Sequence, residues 1–205
     1  MIVHQLERIQ RATRTGPITI VTSTDVTDDR LAGHLLRNGF DVYRGSLNDV
    51  LDRYYQCARS RGAETIVRLT ADCPLLDPEI VDLVITRFYE NSVDYASNTL
   101  KRTYPDGLDV EVFTMDVLET AWREARTNYE REHVTPFIYS DPDAVSVLAV
   151  TGDKDLSHLS WTVDEMIDFR FVERIYEALY SQDPCFSMQD ILDLIEARPE
   201  LCRLT

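Results

Sequence analysis

The first ninety residues alternate amphipathic helices with short apolar segments in which β-branched residues dominate. Ile18–Val21 and Thr65–Leu69 have the composition of strands that are buried on both faces, and Phe40–Tyr43 is predicted as a shorter strand between them. Short joints link each strand to a segment with apolar residues at helical spacing. This alternation predicts an α/β fold built on a parallel sheet that helices cover on both faces.

Local capping signals place the ends of several of these helices. Thr27 and Ser46 are predicted to cap the helices that begin beside them, and Gly62 to end the second one. Asp77 followed by Pro78 is a strong start signal, because proline at the first helical position lacks only an N–H that would be unpaired there.

The pattern changes in the second half, where a polar loop joins two predicted strands before helices resume. The predicted strands are Val93–Ala96, Leu108–Phe113, Ala144–Val150 and His158–Val163, and the predicted helices are Met115–Ala125, about Glu165–Tyr180 and Met188–Ala197. We expect some of these later strands to join the parallel strands in the antiparallel direction, so the predicted sheet is mixed and mostly parallel. With no internal repeat and no linker rich in glycine and serine, residues 1–205 are predicted to form a single domain with a C-terminal helical extension at about 187–205.

The charge balance excludes two classes of partner. Asp and Glu number 36 against 21 Lys and Arg, so the formal net charge is −15. A surface this acidic repels nucleic acid and anionic membranes. No run reaches the roughly 18 apolar residues of a membrane span, and the N-terminus lacks a signal-peptide pattern, so we expect a cytoplasmic protein.

The cysteine, glycine and lysine content limits the kinds of binding site that the chain can form. The four cysteines are far apart and the four histidines are scattered, so neither a zinc site nor a disulfide framework is indicated, and buried free thiols are expected. The seven glycines show no spacing that could cradle a phosphate, and lysine occurs only as Lys101 and Lys154. Phosphate chemistry by these residues would therefore depend on arginine or on a metal ion.

Two aspartates follow predicted strands and precede predicted helices. Asp72 comes after Thr65–Leu69 in a turn stiffened by Pro74, at the edge of the sheet where open α/β folds bind their ligands. Asp164 follows His158–Val163 in a similar setting. Mg²⁺ is commonly held by one or two carboxylates together with substrate phosphates. The alternatives are a turn-forming role for Asp72 and a helix N-cap role for Asp164.

Two further stretches carry polar side chains that could contact a substrate. Residues 97–113 form a polar loop that leads into a strand, on which Asp109 and Glu111 share the face opposite the apolar residues. That face could equally be an ordinary solvated one. Residues 128–137 form a short helix interrupted at Pro136, and His133 within it is either a ligand contact or an interface histidine.

The four stretches, in order, resemble the spore-coat polysaccharide biosynthesis branch of the cytidylyltransferase family, which is related to the synthetases of CMP-KDO and CMP-sialic acid. The matching motifs are RLTADCPLLDP, SNTLKRTYPDGLDVEVF, YEREHVTPFIY and LSWTVDE, and the resemblance runs from about Met1 to about Tyr180. It implies a Rossmann-like mixed sheet of the nucleotide-diphospho-sugar transferase type. The implied reaction transfers CMP from CTP to a sugar acid and releases pyrophosphate, for surface polysaccharide biosynthesis.

The resemblance also implies roles for individual residues. Asp72 and Asp164 match the family's catalytic aspartates, which bind Mg²⁺ as cofactor. The sugar pocket is expected at Asn98, Arg102, Tyr104, Asp106, Asp109, Glu111, Arg131 and His133. The implied partners are CTP and a sugar acid, and family analogy favours a homodimer.

One departure from the family pattern affects the nucleotide site. The family opens with a strand and a loop of the type A-R-x-x-S-x-R-x-P-x-K, whereas Met1–Leu6 aligns with the helix that comes next. We therefore expect the first strand to be missing between Ile18–Val21 and Thr65–Leu69, together with the loop cations. Two other hypotheses stay open: an inactive sugar-binding or partner subunit of the same fold, and a nucleotidyltransferase for another base.

Overall fold

The computed structural model describes residues 1–141 and 143–201. Its strands are β1 (Thr19–Ser23), β2 (Asp41–Gly45), β3 (Thr65–Arg68), β4 (Tyr95–Ser97), β5 (Glu111–Thr114) and β6 (Val147–Ala149). Its α-helices are α1 (Ile2–Ile9), α2 (Asp29–Arg37), α3 (Val50–Arg61), α4 (Pro78–Asn91), α5 (Met115–Glu124), α6 (Asn128–His133), α7 (Pro136–Tyr139), α8 (Met166–Leu179) and α9 (Met188–Ala197).

The strands form a mixed arrangement in two sheets. β1 and β2 pair in parallel, and the second sheet has the order β3-β5-β4-β6. β5 runs antiparallel to both of its neighbours, whereas β4 and β6 are parallel. The predicted α/β fold with a mixed sheet is confirmed, and β5 is the strand that brings the antiparallel pairings.

The capping predictions are confirmed in part. Asp77 caps α4 through the main-chain N–H of Glu79, and Gly62 ends α3 with a φ of 63°. The predictions for Thr27 and Ser46 are wrong. Asp25 caps a short 3₁₀ turn before α2, and Asp49 caps α3 by accepting the N–H of Asp52. A carboxylate close to the first turn accepts these N–H groups more strongly than a hydroxyl does.

The predicted strand His158–Val163 is also wrong. Only an isolated parallel bridge between Asp106 and Ser160 forms there. Trp161 is nevertheless almost fully buried, so the apolar residues that suggested a strand fill the core from an irregular segment.

Helices α1 and α9 pack into one apolar core. Leu6 of α1 and Ile191 of α9 belong to the same cluster of buried side chains. The buried guanidinium of Arg8 donates to the carbonyl oxygens of Leu76 at 2.8 Å and Phe186 at 3.0 Å. The C-terminal helix is thus packed against the same core as the N-terminal one, and residues 202–205 of the predicted extension lie outside the described part of the chain.

The cysteines divide into two environments. Cys57 and Cys73 are buried free thiols as expected, but Cys185 is exposed, in the loop that precedes α9. Cys202 lies outside the described residues. Burial raises the pKa of the Cys73 thiol, and the neighbouring Asp72 raises it further, so this thiol stays protonated.

A slot of about 730 Å³ lies where the first strand was expected to be missing. Residues of β1 and β3 line it, and Ile2, Leu6 and Ile9 of α1 lie along it. Among the described residues, β1 pairs only with β2 and β3 only with β5. The two strands therefore do not close on each other.

Within residues 1–141 and 143–201, no helix combines the length and the apolar character needed to cross a membrane.

Candidate active site

A cleft of about 380 Å³ brings together seven of the ten residues that the sequence singles out. These are Asp72, Arg102, Asp106, Asp109, Glu111, His133 and Asp164. They come from the loops after β3 and β4, from β5 and the segment before it, from α6, and from the segment before α8.

Main-chain hydrogen bonds hold the segments of the cleft together. The N–H of Val163 donates to the carbonyl of Asp72 at 2.9 Å, and the N–H of Trp161 donates to the carbonyl of Asp106 at 2.7 Å. Gly107 permits this close approach, because a Cβ there would lie 2.8 Å from the carbonyl carbon of Trp161, and its φ is 99°. Only glycine fits both the space and the dihedral angle at this position.

The carboxylate of Asp164 does not cap α8, contrary to the alternative interpretation of its position. Glu165 is the N-cap, and Asp168 accepts the main-chain N–H groups of Asp164 at 3.0 Å and Glu165 at 2.9 Å. The side chain of Asp164 contacts the hydroxyl of Thr162 at 3.3 Å. Asp168 thus fixes the backbone of Asp164 while the Asp164 carboxylate faces the cleft.

Asp72 has a similarly light set of contacts. Its carboxylate accepts only a weak hydrogen bond from the thiol of Cys73 at 3.3 Å among the contacts that the described residues show. Asp72 and Asp164 also stay out of the ion pairs formed in this part of the structure. Within the described part of the chain, two carboxylates without a cation partner therefore face one cleft.

These two carboxylates suit a hard cation that also binds a second ligand. Nowhere in residues 1–141 and 143–201 are three or more histidine, cysteine or acidic side chains grouped to hold a metal ion. Mg²⁺ fits such a sparse donor set, because it prefers oxygen ligands and usually takes one or two from protein carboxylates and the others from phosphates and water.

Arg102 partly neutralises two further acidic side chains of the cleft, Asp106 and Asp109. Its guanidinium binds Asp109 through two bonds of 2.6 and 2.8 Å, and it reaches Asp106 at 3.2 Å. Hydrogen bonding to Asp109 raises the pKa of Arg102. Burial raises the pKa of Asp106, and the attraction of Arg102 opposes that rise.

Glu111 is buried, so it does not lie on a solvated face. It is only 6% exposed. Its carboxylate pairs with Arg68 and accepts hydrogen bonds from the hydroxyls of Tyr95 and Thr135, both at 2.6 Å. Burial raises the pKa of Tyr95, and the adjacent charge of Glu111 raises it further.

Three predicted residues do not line the cleft. Asn98 is 1% exposed and donates to the carbonyl of Leu108 at 2.7 Å, which shapes the loop. Tyr104 is buried in the main apolar core. Arg131 binds Asp49 at 2.7 Å and so fastens α6 to the start of α3. These three side chains contact other parts of the protein and do not face the cleft.

Several residues that line the cleft were not predicted as site residues. They are Arg68, Thr70, Cys73, Thr99, Tyr129, Thr135, Pro136, Tyr139 and Thr162. Arg68 and Thr70 lie four and two positions before Asp72, so the alternation of side chains along a strand could have indicated them. Tyr139 carried no such signal, because the turn between α6 and α7 alone brings it to the cleft.

Comparisons with known proteins identify the family of the chain. The sequence profile of the cytidylyltransferase family matches residues 1–165. The chain is 32% identical over 200 residues to the uncharacterised protein MJ1063 of Methanocaldococcus jannaschii, covering 96% of this chain and 79% of that protein. It is 29% identical over 186 residues to the spore coat polysaccharide biosynthesis protein SpsF of Bacillus subtilis, covering 89% of this chain and 76% of SpsF.

A solved structure shows the same fold. The cytidylyltransferase of Leptospira borgpetersenii superimposes with a TM-score of 0.94 at 29% identity, and the match covers all of this chain and 86% of that one. The family profile spans well over half of the chain, and it includes both aspartates of the cleft. The protein is therefore a nucleotidyltransferase by descent, and the chain belongs to the cytidylyltransferase family.

Proposed function

We propose that this protein transfers CMP from CTP to a hydroxyl of a sugar and releases pyrophosphate. The observation that carries the proposal is the pair Asp72 and Asp164, whose carboxylates face one cleft without cation partners among the described residues. Two such carboxylates beside a polar pocket suit phosphoryl transfer, in which positioning and charge neutralisation supply most of the catalysis.

The reaction forms one bond and breaks another at the same phosphorus. The oxygen of the sugar hydroxyl bonds to the α-phosphorus and its proton passes to solvent, while the bond to the bridging oxygen of the β-phosphate breaks in line and pyrophosphate leaves with that electron pair. Asp72 and Asp164 would hold Mg²⁺, which when bound neutralises phosphate charge and makes the hydroxyl more acidic. Arg102, Asp106 and Asp109 would bind and orient the sugar through its hydroxyls.

The acceptor that we propose is a sugar acid, as in the related synthetases of CMP-linked acidic sugars. Its carboxylate would need a cation, and of the two arginines that line the cleft among the described residues Arg102 is the more exposed, at 30% of its side chain against 15% for Arg68. A bidentate grip on a carboxylate is within the reach of a guanidinium. The grip would require Arg102 to release or share Asp109.

A second candidate is a sugar without a carboxylate. It is favoured by the pairing of both arginines that line the cleft, Arg68 with Glu111 and Arg102 with Asp109. Binding an uncharged acceptor would leave these ion pairs intact. Only a sugar acid would need the positive charge of Arg102. The effect of replacing Arg102 on acceptor binding therefore distinguishes the two candidates.

Pyrophosphate release tests the proposal. The protein is incubated with CTP, Mg²⁺ and a panel of sugars with and without carboxylates, and ATP, GTP and UTP in place of CTP test the base. We expect release that depends on both CTP and a sugar. Sugar-stabilised melting without any release would instead support the alternative of an inactive binding subunit, and release with another nucleotide alone would reassign the base.

The proposed setting is the synthesis of a surface polysaccharide. Its support is the spore coat polysaccharide role in the name of the relative from Bacillus subtilis. A cytoplasmic location and a homodimer stay predictions, which fractionation and light scattering can test.

A further inference from the structure

The turn between α6 and α7 has a strained backbone. Val134 adopts φ 72° and ψ −57°, and the N–H of Thr135 donates to the carbonyl of His133 at 2.9 Å. These values define a γ-turn of the rare, strained kind. A β-branched residue at positive φ is a genuine outlier, because its Cβ clashes with the neighbouring backbone.

Surrounding contacts hold this turn in place. The side chain of Val134 is fully buried in the second apolar cluster, with Leu51, Leu118 and Ile138. Thr135 stands at the N-cap position of α7, yet its hydroxyl makes no capping bond. The hydroxyl donates instead to Glu111 at 2.6 Å.

Glu111 is a rigid anchor for that hydroxyl. It projects from β5 and is held by Arg68 from β3 and by Tyr95 from β4, so two neighbouring strands of the sheet fix its carboxylate. Both carboxylate oxygens already have protein partners. A sugar hydroxyl would have to displace one of these bonds to reach it.

The strained turn follows a helix, α6, that carries two aromatic side chains at the cleft. His133 immediately precedes Val134, and its ring lies 4.5 Å from the ring of Tyr129, measured between centroids. Both residues line the cleft from α6, and both are exposed to it or to solvent. A relaxed turn at Val134 would rotate the last residues of α6 and move His133.

We propose that Glu111 is a positioning residue: through the hydroxyl of Thr135 it holds the γ-turn at Val134 and thereby sets His133 and Tyr129 as the acceptor-facing wall of the cleft. This role rests on the proposed function for its effect on turnover. The geometric part stands apart from it, because the position of His133 can be measured without any reaction.

Thr135→Val tests the proposal, because it removes the hydroxyl and keeps the shape of the side chain. The position of His133 is read from the imidazole Cε1–H resonance in ¹H–¹³C NMR spectra, assigned with His133→Gln. We expect the His133 resonance to shift or broaden in Thr135→Val while those of His4, His34 and His158 stay in place. Thr135→Ser restores the hydroxyl and should restore the resonance.

The matched control is Thr120→Val, since Thr120 lies on α5 and its hydroxyl donates only to the carbonyl of Asp116 in the same helix. This control should leave all four histidine resonances unchanged. Should Thr135→Val fail to fold, Thr135→Ala removes the same hydroxyl without placing a methyl group against the carboxylate, and it is read in the same way.

Kinetics provide the second measurement. Thr135→Val should raise the KM for the acceptor by about fivefold or more and leave the KM for CTP within about twofold, with Thr135→Ser close to wild type. An unmoved His133 resonance in the folded variant without the hydroxyl overturns the positioning role. If wild-type protein releases no pyrophosphate, the proposed function fails, and the NMR result still decides the role of Glu111.

Discussion

The main-chain N–H of Val163 donates a 2.9 Å hydrogen bond to the main-chain carbonyl of Asp72. This bond joins the loop after β3 to the segment that leads into α8, and each segment carries one of the two cleft carboxylates that lack a cation partner among the described residues. Asp164 directly follows Val163. The two acids therefore share the cleft because their backbones are bonded, and either carboxylate can be neutralised without breaking that bond.

Asp72→Asn and Asp164→Asn should each abolish most metal binding without unfolding the protein. The substitutions remove a charge that a cation needs but keep the side-chain shape and the main-chain bond. Mn²⁺ binding, followed by electron paramagnetic resonance as a probe for Mg²⁺, should weaken at least about tenfold. Pyrophosphate release should fall by about 10² or more.

Asp153→Asn is the control, because Asp153 is an exposed acid outside the cleft. It should bind Mn²⁺ as wild type does. Undiminished Mn²⁺ binding by both cleft variants would refute the metal assignment.

Gly107→Ala should destabilise the protein and loosen the cleft. The new Cβ would lie 2.8 Å from the Trp161 carbonyl carbon and 2.9 Å from the Thr162 nitrogen, and both atoms belong to the backbone. Strain at positive φ adds to the clash, so we expect a loss of about 2 kcal/mol or more in unfolding free energy. Urea denaturation measures it.

Gly16→Ala is the matched control, since a Cβ at Gly16 meets no atom within 4 Å. Its unfolding free energy should change by less than about 0.5 kcal/mol. Equal losses in the two variants would show that the close approach at Gly107 does not explain the effect.

Arg131→Ala should mainly reduce stability and should affect sugar recognition much less than Arg102→Ala does. The guanidinium of Arg131 binds Asp49 and the carbonyl of Trp122 at 2.9 Å, which ties α6 to α3 and α5. Losing these bonds should cost about 1–3 kcal/mol of unfolding free energy. Arg102→Ala should do the reverse and raise the acceptor KM, most of all for a sugar acid. An equal rise in the acceptor KM of both variants would indicate that Arg131 contacts the sugar, as the family resemblance implied.

Stability should fall in acid partly through Asp28. Hydrogen bonds from the hydroxyls of Ser23 and Thr22 and from the N–H of Ser23 hold the pKa of Asp28 below its ordinary value of 3.8. Because the folded pKa is lower than the unfolded one, the stabilisation is present above pH 3.8 and is lost as pH falls through the folded pKa. Asp28→Asn should therefore be less stable than wild type at pH 7, and the difference should shrink towards pH 3. A constant difference in urea midpoint would contradict this.

Local patterns predicted the elements whose signals lie within a few residues. Asp77 with Pro78 began α4 as expected, and α9 spans the predicted range, because capping and helical spacing decide both. The strand predicted for residues 158–163 is wrong for a reason that residue spacing cannot show. It has strand-like residues, but its main chain bonds to Asp72 and Asp106 instead of entering a ladder.

The sequence predicted which site residues lie at the cleft where their place along the backbone decides it. It could not predict the hydrogen-bond and ion-pair partners of the site residues. Asp72 and Asp164 were indicated by their places after apolar segments, and both line the cleft. The partners of Glu111 and Arg131 come from distant elements, so the sequence could not show that the first is buried against Arg68 and that the second binds Asp49.

The slot between β1 and β3 should accept an extended strand. Among the described residues, β1 and β3 each have one edge without a ladder partner, and both strands line the slot. Apolar residues of α1 also lie along it, as a helix lies over the strand that precedes it in a strand–helix unit. A segment of about five alternating apolar residues, joined to Met1 through a short loop, would pair with both edges. Each newly paired buried group adds about 1 kcal/mol, so we expect a clearly higher urea midpoint and slower amide exchange at Val21 and Val67, whose N–H groups face away from the existing ladders. A glycine–serine segment of equal length is the control and should change neither. An apolar segment that leaves the midpoint and the exchange rates unchanged would show that the slot is not a strand site.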